Sequence, residues 1–129
     1  MITAYVVGIS GYHEDEDIEV RYSIYDNEEL VCKKSILKEY KKPAVVSLFA
    51  LMELLKELKQ YRDHKIIVMI NDAALNEQIR GTSTSKNKDV LKTASIVREK
   101  IEEFGNSMMI KDISNDKVER SKWDEILKP

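Results

Sequence analysis

The sequence predicts an α/β fold built on one mixed five-stranded sheet, an antiparallel three-strand meander plus parallel strands, with helices on both faces. Three observations predict it. Residues 2–37 read as short apolar strands joined by tight turns, a nearly all-apolar helical run starts after Pro43, and short apolar strands then alternate with amphipathic runs. Strands joined by short turns pair in antiparallel fashion, whereas strands separated by helices pair in parallel through right-handed crossovers.

Each element has its own signal. Ile2–Ile9 is β-branched and apolar, broken only by Gly8, and reads as a central strand buried on both faces. Gly11 and the run Glu14-Asp15-Glu16-Asp17 form a solvated turn. Ile18, Val20, Tyr22 and Ile24 alternate with Glu19, Arg21 and Ser23, a period of two that gives a strand one wet face. Asp26-Asn27 tolerates the positive φ of a hairpin turn. Leu30–Leu37 returns as an edge strand protected by Lys33 and Lys34.

Pro43 suits a first helical turn, and Ala44–Tyr61 contains neither Gly nor Pro. Its first turns are apolar nearly all round, so this helix is expected to be sandwiched rather than lie on the surface. Ile66–Ile70 is an all-apolar strand ended by Asn71-Asp72. A short helix carrying Leu75 and Ile79 stops at Gly81, and residues 82–88 are a polar loop. Val90, Ala94, Val97, Ile101 and Phe104 mark a further helix, closed by Gly105. Met108–Ile110 is the last strand. Residues 115–127 form a polar helix or coil in which Trp123 is expected to dock onto the core.

The chain has 129 residues, enough for one domain over residues 1–127 with a core that needs no disulfide or zinc. Twenty-one basic residues nearly offset 23 acidic ones, which argues against a polybasic nucleic-acid binder but leaves room for a local basic face. One cysteine, Cys32, and two distant histidines, His13 and His64, exclude a disulfide framework and argue against a zinc site. No run approaches the ~20 apolar residues of a membrane span, and no secretory pattern opens the chain, so a cytoplasmic setting is expected.

The succession ALMELLKELK (residues 50–59) and KIIVMINDAALNEQIRG (residues 65–81), with an Asp directly after the strand, resembles the ribonuclease H-like fold. NDKVERSKWDEIL (residues 115–127) is similar to that family's closing stretch. The resemblance implies a cluster of acidic residues holding two magnesium or manganese ions, which activate a water and stabilise the leaving oxygen. Magnesium prefers hard oxygen ligands, so such a site needs several carboxylates. Carried over residue by residue, the Asp after the fourth strand is Asp72, and the last-helix Asp is Asp124, with Glu119 or Glu125 as register alternatives. The first-strand Asp falls on Ser10, which is neutral. The helix Glu falls near Ala44, and Glu53 lies about 14 Å further along the axis. Two of the four acidic positions are therefore missing, which implies a degenerate site.

Other readings stand beside these. Asp72 is a metal ligand or simply the N-cap of the following helix, a role Asp favours on its own account. Asp124 is a ligand or a solvated carboxylate, and Ser10 a phosphate contact or a structural hydroxyl. Lys33, Lys34, Lys38, Lys41 and Lys42, accompanied only by Glu39, form a basic strip. It suits nucleic-acid phosphates as well as edge-strand protection. Lys86 and Lys88 either extend it or belong to an ordinary polar loop, and Tyr40 is either a stacking partner for a base or sugar or a packing residue. Three functions follow. The first is a degenerate domain that binds nucleic acid (an RNA/DNA hybrid or structured RNA) without cleaving it. The second is an active magnesium- or manganese-dependent nuclease using Asp72, and the third an interaction module, possible as a homodimer.

Overall fold

The computed structural model describes residues 1–11 and 13–129. The strands are β1 (Ile2–Ile9), β2 (Ile18–Asp26), β3 (Glu29–Lys38), β4 (Ile66–Ile70) and β5 (Met108–Asp112). The helices are α1 (Val46–Leu58), α2 (Ala73–Arg80), α3 (Lys88–Glu102) and α4 (Lys117–Ile126). The sheet order is β3-β2-β1-β4-β5. β1 pairs antiparallel with β2 and parallel with β4, β2 pairs antiparallel with β3, and β4 pairs parallel with β5. This is the expected mixed sheet, with β3 and β5 at its edges.

Alternation along the strands gives the sheet two different faces. Ala4, Val6, Val20, Ile24, Val68 and Ile70 are buried together with Leu48, Leu51, Leu54, Leu55 and Leu58 of α1. Val90, Ala94 and Val97 of α3 join the same core. α1 thus has apolar neighbours on the sheet side and the α3 side, as its all-round apolarity demands. On the other face, Thr3, Tyr5, Tyr25 and Met69 meet Lys122, Glu125 and Ile126 of α4. The Ser23 hydroxyl donates to the carbonyl of Ile126 at 3.3 Å and fixes the end of that helix.

Helix limits follow local chemistry. The expected helix 44–61 divides into a 3₁₀ turn at Pro43–Val45, α1, and a second 3₁₀ turn at Lys59–Tyr61. α2 closes on Gly81, whose φ of 76° is left-handed, with the Thr82 N–H donating to the Glu77 carbonyl at 3.0 Å. Asn87 caps α3 by accepting from the N–H groups of Asp89 and Val90, so Lys88 is helical rather than part of the loop. Asp116 does the same for Val118 and Glu119, which makes the tail a helix and not a coil. β5 runs two residues past Ile110, to Asp112. Among the described residues, no helix is long and apolar enough to cross a membrane.

One carboxylate ties the edge strand to α1. Glu57 accepts from the Tyr22 hydroxyl at 3.0 Å, from the Lys34 ammonium, and from Gln60 at 2.9 Å. The hydrogen bond from the Lys34 ammonium holds Glu57 below the usual carboxylate range, while burial pushes the Tyr22 hydroxyl well above its ordinary value.

Candidate functional site

The carboxyl ends of β1, β4 and β5 converge beside the first turn of α1, and Asp72 lies at that junction. It follows β4 directly and caps α2, its Oδ1 accepting from the Leu75 N–H at 2.9 Å. Its Oδ2 accepts from the Ser47 hydroxyl of α1 at 3.0 Å. The Asp72 backbone N–H donates to Oδ1 of Asp112, the last residue of β5, at 3.3 Å. Asp112 is held in turn by the N–H of Ser114 at 3.0 Å and by the Ser114 hydroxyl at 2.8 Å. Strand pairing explains the meeting, because Ile70 stands opposite Asp112 in the parallel ladder.

A small cleft of about 110 Å³ opens here, with Val7 and Gly8 of β1, Ser47, Asn71, Asp72 and Trp123 on its walls. The Trp123 Nε1–H is buried without a hydrogen-bond partner. A shallower trough of about 320 Å³ continues past Asp72 between the starts of α1 and α3 and includes Ala44, Ser85 and Asn87.

Several sequence expectations change at this point. Ser10 lies beyond the end of β1 and is exposed, and the β1 residues that line the cleft are Val6, Val7 and Gly8. The helix residue that reaches Asp72 is Ser47, one turn on from Ala44. From α4 the cleft receives Trp123, whereas Asp124 is exposed and is not part of the lining. Glu53 faces Lys38 and Lys56 instead, at 3.6 and 3.0 Å. Asp112 was not singled out by sequence: it ends β5, separated from the apolar run Met108–Ile110 by Lys111.

The donor set does not fit a pair of magnesium or manganese ions. Asp72 and Asp112 already accept from neutral protein donors, and β1, α1 and α4 contribute Val7, Ser47 and Trp123 where further hard oxygen ligands would be needed. Among the described residues, no group of three or more His, Cys, Asp or Glu side chains could hold a metal ion. Removing the cap tests what Asp72 does now. Asp72→Ala is expected to lower stability by about 1–2 kcal/mol, whereas Asp72→Asn, which keeps an accepting oxygen, should cost a few tenths. Thermal melts of the two variants measure the difference.

The basic strip is dispersed by its partners. Lys34 pairs with Glu57, Lys38 with Glu53 at 3.6 Å, Lys41 with Glu39 at 3.6 Å, and Lys42 with Asp89 at 3.0 Å. Lys33 points to the other face of β3, beside Leu127 and Lys128. Such pairs on exposed side chains contribute little stability, but they do offset the strip's field.

No family model matches the sequence, and no curated protein matches it. Solved structures do resemble it. LC11-RNase H1, isolated from compost by a metagenomic approach, superposes with a TM-score of 0.79 at 15% identity, covering 98% of this chain and 91% of that one. RNase H1 from the archaeon Halobacterium salinarum gives 0.78 at 14% identity, covering 97% and 92%. LC11-RNase H1 in complex with an RNA/DNA hybrid gives 0.76 at 16%, covering 98% and 94%. At such identities the likeness is one of architecture.

Proposed function

From a ribonuclease H-like fold whose cleft surrounds Asp72 with Ser47, Val7 and Trp123, we propose that this chain binds nucleic acid and does not hydrolyse it. The observation that carries the reading is the company of Asp72. It caps α2 and accepts from Ser47, with Val7, Gly8 and Trp123 completing the walls. Two-metal hydrolysis needs several carboxylates that offset two divalent charges within a few ångströms; Asp72 and Asp112 meet here, and the other side chains lining the cleft are uncharged. Similarity to a structure solved with an RNA/DNA hybrid supports nucleic acid as the ligand class.

The test has two arms. An RNA/DNA hybrid incubated with magnesium or manganese is expected to remain intact, with Asp72→Asn indistinguishable from the unmodified chain. Cleavage that vanishes in Asp72→Asn would establish the active-nuclease alternative instead. In the second arm, labelled single strands, duplexes and hybrids are titrated at low salt, where phosphate contacts are strongest. A protein-interaction module is the second reading, favoured by the carboxylates that pair with Lys34, Lys38 and Lys42. It predicts no binding in any titration.

A further inference from the structure

A groove separate from the Asp72 cleft lies where the outer ends of β2 and β3 meet α1. Its floor is Ile18 and Val20, 1% and 0% exposed, and its inner wall is Phe49 with Met52. Its volume is about 240 Å³. Three ammonium groups stand on the rim: Lys38 from β3, Lys41 from the connection into α1, and Lys56 from α1 itself. Lys41 lies over the Phe49 ring, 4.5 Å from its centroid.

The rim is electrostatically uneven. Lys38 and Lys56 share one carboxylate, Glu53, through its two oxygens at 3.6 and 3.0 Å. Lys41 pairs with Glu39 at 3.6 Å, so the three lysines of the groove face two carboxylates, Glu39 and Glu53, and one positive charge is left over. An excess positive charge therefore borders an apolar, partly aromatic slot. A nucleotide unit has the complementary form, a flat unsaturated ring beside a phosphate. Aromatic platforms flanked by cations bind single strands because every base offers a π-face and every phosphate a charge. A paired duplex keeps its bases stacked on one another and cannot offer one to the slot without unpairing.

We propose that this groove holds single-stranded nucleic acid, with one base against Phe49 and Met52 and the adjoining phosphates on Lys38, Lys41 and Lys56. The proposal rests on the nucleic-acid reading above and moves the contact away from the Asp72 cleft. Lys56 becomes a binding residue that belongs to no basic run in the sequence. Lys33 and Lys42, which do belong to one, lie outside the groove.

Fluorescence anisotropy with a labelled oligo(U) strand of about twelve nucleotides, within the range such platforms cover, tests it. Lys38→Gln with Lys56→Gln is expected to weaken binding about tenfold and to lower the salt slope by about 1.4, as for two lost single-strand phosphate contacts. Phe49→Leu should weaken binding about fivefold with the salt slope unchanged, the behaviour of lost stacking. Lys33→Gln should leave affinity unchanged, as should Asp72→Asn. Circular dichroism melts establish that each variant is folded. A matched hybrid of the same length should bind more weakly than the single strand, and free uridine monophosphate should not compete at equal nucleotide concentration. Binding that survives the Lys38/Lys56 pair overturns the groove and leaves the nucleic-acid reading standing. Failure of every strand, duplex and hybrid to bind the unmodified chain overturns both.

Discussion

Leu54→Ala is expected to destabilise the protein by about 2–5 kcal/mol, a loss in the range of the largest single core truncations. Leu54 is fully buried in the core formed by the sheet, α1 and α3, so its removal leaves a cavity that neighbours on both sides would have to close. A chain of this size loses roughly 3–5 °C in Tm per kcal/mol, so the melt should fall by about 6–25 °C. Val118→Ala, at a side chain 76% exposed, is the matched control and should change almost nothing. A small shift for Leu54→Ala would mean that α1 is not packed on both sides.

The second large effect is expected at Gly8. A Cβ there would come within 2.9 Å of the Val46 carbonyl oxygen and 3.0 Å of both the Ala50 Cβ and a Val46 methyl. The first of these neighbours is backbone, so β1 and the first turn of α1 would have to separate. Overpacking of this kind costs about 1–3 kcal/mol, and Gly8→Val should cost more than Gly8→Ala. Since Gly8 and Ser47 both line the cleft, the hydrogen bond from Ser47 to Asp72 should weaken together with the fold. Denaturant titrations of both variants measure the loss, and equal midpoints for alanine and glycine would contradict the close approach.

The architecture was legible because its signals are local. Periodicity marks β2, all-round apolarity marks α1, and Asp72 stands between an apolar strand and a helix. The remainder of the cleft depends on register, which is a tertiary property. Gly8 reads locally as an interruption of a strand. Only the pairing of Ile2 with Ile66 brings Val7 and Gly8, rather than Ser10, beside the end of β4. Ser47 was missed because Pro43 signals a helix start, whereas a 3₁₀ turn intervenes before α1 and changes which residue faces Asp72. Asp112 was missed because the apolar run ends at Ile110 while the ladder with β4 carries on to Asp112. The basic strip was visible as composition, but its neutralising partners Glu53, Glu57 and Asp89 come from helices distant in sequence.

The placement of β1 between β2 and β4 also orders events during synthesis. Its hairpin partner emerges from the ribosome directly after it, but its parallel partner follows only once α1 has been made. Until then β1 is an outer strand with unsatisfied backbone groups along one side, open to pairing with another nascent chain. The arrival of β4 seals that side, and β5 then takes over as the border. Its outward residues Met109 and Lys111 are exposed, and the lysine places a charge where a foreign strand would have to align.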